Sequence, residues 1–169
     1  TRISVFVIMY QHRPPSPSTS SPLETEGALD AAERLCAARG ERMTPHRRHT
    51  LKILLEADRP LGAYDVLEKL KAYGVAGQPP IAYRALDFLM EQGFVHKLRE
   101  AKTFLACRHP HHCHGAAFLI CRSCGRVDEV CVEPKRGAFG RAARDVGFTI
   151  ERTVLEAEGL CAQCCKTDA

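Results

Sequence analysis

The sequence has no large excess of charge of either sign, no apolar run long enough to cross a bilayer, and no H-x-E motif. Its 24 basic and 20 acidic residues leave a formal net charge of only +4. The balance is even along the chain, with 13 basic against 12 acidic groups over residues 23–106 and 9 against 8 over 107–169. Bulk charge therefore recruits no polyanion, and any nucleic-acid contact must come from local placement of cations. The apolar run in "TRISVFVIMY" spans about eight residues, whereas a membrane helix needs about 20, so no membrane partner is expected. No A-x-A-type cleavage site follows it, and the next stretch, "RPPSPSTSSP", reads as a disordered linker. Residues 1–22 are taken as a disordered or extraneous extension without assigned function. A zinc hydrolase or deaminase needs an open coordination position and a general base, as in H-x-E with P-C-x-x-C. The missing H-x-E turns the reading away from that enzyme class.

Cysteine, by contrast, is abundant. Nine cysteines in 169 residues mean disulfides or metal. The stretch "CRHPHHCHGAAFLICRSCGRVDEVC", residues 107–131, holds five of the nine, with four of the eight histidines. The odd count, the paired CxxC motifs and the interleaved histidines favour reduced thiolates and a cytoplasmic setting. Cys121-x-x-Cys124 and Cys161-x-x-Cys164 are separated by 36 residues. Two such knuckles present four thiolates that converge tetrahedrally on zinc. Four protein ligands leave no position for water, so this zinc is structural; a redox CxxC would not need a second copy. Cys165 adjoins Cys164, and the x-x spacing favours Cys164 as the ligand. His96, Cys107, His109, His111, His112, Cys113, His114, Glu129 and Cys131 remain as candidates for a second site, where mixed sulfur, nitrogen and oxygen donors suit exchangeable zinc. The bland alternatives are a solvated His-rich turn and, for Cys36 and Cys131, the role of small core hydrophobes.

Two modules with a hinge near 107–114 organise the chain. In the first, residues 23–106, "LETEGALDAAERLCAARG" carries an apolar helical stripe of Leu29, Ala32, Leu35 and Cys36, stopped at Gly40. "MTPHRRHTLKILLEAD" opens a second helix with Thr44 as N-cap and Pro45 at the first helical position. A third runs through "GAYDVLEKLKAYG" and a fourth from the proline pair of "QPPIAYRALDFLMEQG" to Gly93. "FVHKLRE" and "KTFLAC" then read as two strands around a turn near Glu100–Ala101. Helices followed by a hairpin is the order of a winged helix-turn-helix. Its fourth helix would bury Ala82, Leu86 and Leu89 and present Tyr83, Arg84 and Asp87, with Arg84 suited to guanine. Arg47, Arg48 and Lys52 would suit phosphate contact. The same pattern fits any small helical domain with a solvated polar face. The second module, residues 107–169, has strand-like "AAFLIC" and "RVDEVC", a helix in "PKRGAFGRAARDVG", and a third strand starting in "FTIERTVLEAEGLC" with Phe148, Ile150 and Val154 buried. The fold class is α+β: a winged helix-turn-helix domain plus a small α/β dimerisation domain with an antiparallel sheet and structural zinc. So small a second module needs metal and dimerisation to hold.

The stretches "MTPHR", "AYD", "PPIAYRALDFLMEQGFVHK", "FLAC", "CHGAAFLICRSCGRVDEV" and "GLCAQC" resemble the ferric uptake regulator superfamily, most closely its zinc uptake regulator branch. The resemblance is collinear over roughly residues 28–165. It implies a homodimer that binds palindromic double-stranded DNA operators and represses zinc uptake genes when zinc is bound. By position it assigns the structural zinc to Cys121, Cys124, Cys161 and Cys164, and a regulatory zinc to His96, Cys107, His114 and Glu129. That makes two zinc ions per protomer, with room for a third at His109, His111, His112 or Cys113. It places base contacts at Tyr64 and Arg84, with Tyr83 close by. It also puts Glu68 and Lys71 where neighbouring dimers meet side by side on DNA. Two departures stand out: Ile81 replaces a common threonine, and Cys113 interrupts the His-Asp-His of iron-type members. An iron- or peroxide-responsive regulator is the near alternative, and the sulfur of Cys107 favours zinc over it. The regulatory set would clamp the hinge, fixing two recognition helices about 34 Å apart as a palindrome demands.

Overall fold

The computed structural model describes residues 22–57, 59–74, 79–99, 101–107, 110, 116–133, 135–151 and 153–167; the side chains of Cys131 and Thr167 are not among the described ones. The expectations for residues 1–21, and for His109, His111, His112, Cys113 and His114, therefore lie outside the described residues.

Four helices build the first module: α1 (Pro22–Ala38), α2 (Pro45–Leu55), α3 (Ala63–Ala72) and α4 (Pro79–Glu91). The Thr44 side chain accepts from the Arg47 backbone N–H at 3.5 Å, with Pro45 in the first turn, so α2 starts where its capping chemistry placed it. Helix α4 ends in a Schellman-type turn: the Phe94 N–H donates to the Leu89 carbonyl at 2.9 Å across Gly93, whose φ of +77° only glycine takes easily. Helix α1 packs through Leu29, Ala32 and Cys36, and burial pushes the Cys36 thiol up, as suits an inert core cysteine. Leu86 and Leu89 are fully buried while Tyr83, Arg84 and Asp87 face outward. The polar face of α4 thus follows from its 3.6-residue apolar period.

The hairpin is β2 (Val95–Leu98) and β3 (Thr103–Ala106), in register from Val95↔Ala106 to Leu98↔Thr103. A two-residue strand β1 (Leu61–Gly62) joins its other side, pairing Leu61 with Phe104. This completes a three-stranded wing that the sequence reading had as a hairpin alone. The helices and the wing share one core, running from Leu29 to Phe104.

The second module holds β4 (Ala116–Cys121), β5 (Val127–Cys131), α5 (Ala138–Asp145), β6 (Val154–Gly159) and the short α6 (Ala162–Thr167). Strands β4 and β5 form the expected antiparallel pair, with Phe118 opposite Glu129. Strand β6 lies on the other side of β4 and runs parallel to it, so the sheet is mixed rather than wholly antiparallel. The β4–β5 hairpin brings the chain back to the Ala116 end of β4, where β6 also starts, with α5 in the connection between β5 and β6. The third strand also starts later than expected. Phe148 is no strand residue: its N–H donates to the Ala143 carbonyl at 2.8 Å, closing α5 across Gly147 at φ +70°. Phe148 is 65% exposed, and Ile150 and Val154 are half-buried.

The core of this module is small, and part of it comes from the wing. Leu98 is buried with Ala116 and Phe118, and Leu105, Ile120, Val127 and Val154 pack against them. The wing's second face is therefore a wall of the second module, and this contact brings the candidate donors of the two modules together.

Candidate metal centres and nucleic-acid interface

The ligand atoms of Cys121, Cys124, Cys161 and Cys164 all lie within 4.8 Å of one another. Cys121 ends β4, Cys124 sits in the turn towards β5, Cys161 follows β6, and Cys164 rides on α6. The Cys124 and Cys161 sulfurs are 3.8 Å apart. A tetrahedral zinc with bonds of about 2.3 Å puts its sulfurs about 3.8 Å apart, so the spacing fits that metal. The electrostatics fit as well. Backbone N–H groups, that of Cys161 first and then those of Cys124 and Ser123, pull the Cys121 thiol down to about 6. The Cys161 thiol is also lowered, chiefly by the Cys164 N–H. Four sulfurs this close cannot all ionise alone. At Cys164 the Ser123 hydroxyl favours ionisation, yet the thiols of Cys161, Cys124 and Cys121, together with burial, push it up to about 12. A dication at the centre removes that conflict. Arg126, held by Asp128 at 2.9 Å, adds a nearby positive charge. None of the cysteines with described side chains is in a disulfide, and Cys165, on the exposed side of α6, is not in the cluster.

The second cluster is His96, Cys107 and Glu129, again within 4.8 Å. His96 projects from β2 and Glu129 from β5, while Cys107 is fixed just past β3 by its N–H bond to the Phe94 carbonyl at 2.8 Å. His96 Nε2 is 3.3 Å from Glu129 Oε1, and the Cys107 sulfur is 3.5 Å from the same oxygen. Tetrahedral zinc would set nitrogen–oxygen edges near 3.3 Å and sulfur–oxygen edges near 3.5 Å, from bonds of about 2.0 and 2.3 Å. The Glu129 side chain is 1% exposed, and His96 Nε2 is buried with no hydrogen-bond partner among the described residues. A buried carboxylate facing a ring nitrogen without a partner among the described residues is a donor set that fits a cation. Three of the four donors assigned by resemblance thus come together from both modules, and the fourth, His114, lies outside the described residues.

Across the molecule, Tyr64 is 74% and Tyr83 43% exposed, and Arg84 is exposed with its Nε donating to the Pro80 carbonyl at 3.3 Å. Glu68 and Lys71 stand exposed on α3. The two arginines assigned to phosphate are engaged within the chain. Arg48 pairs with Glu26 at 3.0 Å, Asp30 at 3.1 Å and Glu33 at 3.8 Å, all on α1. Lys52 pairs with Glu26 at 2.8 Å. Arg47 lies over the Phe88 ring at 3.3 Å and donates to the Arg42 carbonyl at 2.6 Å. These three cations secure α1 and α4 to α2 rather than standing free. On the wing, Lys97, Arg99 and Lys102 line a groove with Tyr83. The sequence did signal them: in "VHKLRE", Lys97 and Arg99 alternate with the inward His96 and Leu98.

A model of the ferric uptake regulator family matches residues 38–158. The zinc uptake regulation protein of Escherichia coli (strain K12) is 39% identical over 146 residues, covering 86% of this chain and 85% of that protein. A solved zinc uptake regulator complexed with zinc and DNA superposes with a TM-score of 0.78 at 38% identity, covering 85% of this chain and 97% of the other. The crystal structure of holo XcZur gives 0.75 at 39% identity, covering 83% and 98%. With its winged helix, its four-cysteine cluster and a family match over most of its length, the chain belongs to the ferric uptake regulator family.

Proposed function

We propose that this chain is a zinc-responsive, DNA-binding transcriptional regulator, mainly a repressor of zinc uptake genes, with zinc as its corepressor. The observation that carries the reading is the donor cluster of His96 and Cys107 from the wing side with Glu129 from the second module. His96, Cys107 and Glu129, with His114 as a fourth donor, would hold zinc, which would supply the charge that ties the two modules together. His96 and Cys107 then draw the wing onto the β4–β5 hairpin. This fixes α4 relative to the dimer axis, so that two recognition helices meet successive turns of one operator. Exposed Phe139, Val146, Phe148 and Leu155 on the second module support a homodimer, in which a second copy covers them. Glu68 and Lys71, both exposed on α3, would join two dimers side by side on DNA. Reduced thiolates suit the cytoplasm, and among the described residues no helix is long and apolar enough to cross a membrane. A hydrolase reading is disfavoured by the closed four-sulfur set, and an iron- or peroxide-sensing one by the Cys107 sulfur.

The test is DNA retention in a gel shift against buffered free zinc. Retention should rise with zinc on promoters of zinc importers; binding indifferent to zinc overturns the reading. The two centres should also differ in lability. A mild chelator is expected to remove the hinge zinc with DNA binding and to leave one tightly held zinc, as metal analysis after dialysis will show. Loss of both together, with the fold intact, contradicts the division of roles.

Base and phosphate contacts separate by salt. Arg84→Ala should weaken specific binding by about 1–3 kcal/mol and relax one base position. Lys97→Ala should weaken all sequences alike and lower the salt slope by about one. Affinity measured over a salt series, on operator and scrambled DNA, distinguishes the two; the reverse pattern reassigns the contacts.

A further inference from the structure

Glu129, Phe118 and Glu156 form one row across the second sheet. Phe118 on β4 pairs with Glu129 on β5 and with Glu156 on β6. Directly paired residues present their side chains to the same face, and this face meets the wing. Each member of the row engages β2 or the residue just after it. Glu129 approaches His96. Phe118, fully buried, holds the His96 ring at 5.1 Å between centroids and packs with Leu98. Glu156 accepts the Arg99 backbone N–H at 2.9 Å through one carboxylate oxygen, while its other oxygen is buried without a partner among the described residues. A buried carboxylate oxygen without a partner is costly, so the geometry of this residue is set by something other than its own local stability.

We propose that Glu156 is a positioning residue, a metal-independent latch that holds the wing in the same docked orientation as the zinc donors do. The two carboxylates flank Phe118 at opposite ends of the row. The donor cluster fixes the His96 end of β2, and Glu156 fixes the Arg99 end, so the wing cannot pivot about a single point. This rests on the reading of the hinge as the zinc-responsive element. Because both attachments favour one orientation, they are linked: weakening the latch weakens the zinc affinity of the hinge by the same factor, although Glu156 is not one of the donors.

Glu156→Ala and the near-isosteric Glu156→Gln test this in the full chain. Hydrogen bonds to a charged acceptor set the expected scale. Glu156→Ala should raise the free zinc needed for half-maximal DNA retention about tenfold. Glu156→Gln, which keeps an acceptor oxygen, should raise it about threefold. Zinc affinity of the hinge without DNA, measured by competition with a chelating indicator, should fall by the same factors. Amide exchange at Arg99 should be slow in the zinc-loaded wild type and fast in Glu156→Ala, with the four-sulfur zinc retained. A lower melting temperature with an unchanged zinc midpoint in both variants overturns the latch, since that is what a merely structural residue would give. If wild-type DNA binding ignores zinc, the regulatory reading fails instead, and Arg99 exchange with indicator competition still decides the latch.

Discussion

Cys121→Ser, and equally Cys161→Ser, is expected to remove the folded second module rather than only to weaken DNA binding. The apolar core available to that module is Ala116 and Phe118 with Leu98 borrowed from the wing, while Phe139, Val146 and Phe148 remain more than half exposed in the protomer. So small a core does not offset the conformational entropy of about 60 residues. Zinc held by the four sulfurs would do what the core cannot, tying the end of β4 to the turn before β5, the end of β6 and the start of the last helix. The metal free energy of such a centre, about 10–16 kcal/mol in small zinc domains, is folding free energy. A serine hydroxyl in place of one thiolate leaves three soft donors and an alcohol that does not ionise near neutrality. Calorimetry should show the transition of the first module surviving on its own core, which is built from the helices and wing. The second transition, the bound zinc and the dimer should be lost together. A soluble dimer of either variant that melts cooperatively in both modules would show that the centre is not the staple proposed.

The sequence carried more of the sites than of the sheet. Ligand chemistry is local in kind: a CxxC knuckle states both its donors and their spacing, so Cys121, Cys124, Cys161 and Cys164 were legible before any fold. The wing was legible too, because His96 and Leu98 alternate with Lys97 and Arg99. Strand order in the second module was not so open. A strand's period names its faces but not its neighbour or direction, and nothing local to β6 says that it pairs with β4, in parallel, rather than with β5. The misplacement of Phe148 had a readable cause: Gly147 two residues before a threonine-isoleucine pair looks like a strand start, yet it closes a helix. Arg47 and Arg48 show a further limit. Basic residues on a helix near α4 suggest phosphate, and the tertiary contacts with Phe88 and with the α1 carboxylates add intramolecular partners that one dimension could not show. Glu156 carried no signal at all in one dimension, since its partner is a backbone N–H 57 residues away.

Cys107→Ser should leave a folded, dimeric protein that keeps its four-sulfur zinc and no longer responds to zinc in DNA binding. The residue is 8% exposed, and its backbone is secured to Phe94 in the first module, so a serine fits its space and keeps the N–H bond. Its sulfur sits 3.5 Å from Glu129 Oε1 across the junction of the modules, and it is the softest donor of the set. A serine oxygen is a poor zinc ligand, so the hinge loses affinity while neither core loses a contact of consequence. A ligand shifts a two-state hinge only by its differential affinity, and about 5.5 kcal/mol carries a population from 1:99 to 99:1. Losing a thiolate from a site whose total is about 10 kcal/mol or more removes enough to leave the hinge open at any free zinc the wild type senses. His96→Ala, from the wing side, should blind the protein in the same way, though it also opens space beside Phe118. His112→Ala should respond like wild type if His109, His111 and His112 are accessory. DNA affinity against buffered free zinc for the three variants, with metal content and melting curves as controls, gives the answer. A wild-type response from Cys107→Ser together with a blind His112→Ala would move the sensor out of the hinge and into the His-rich segment.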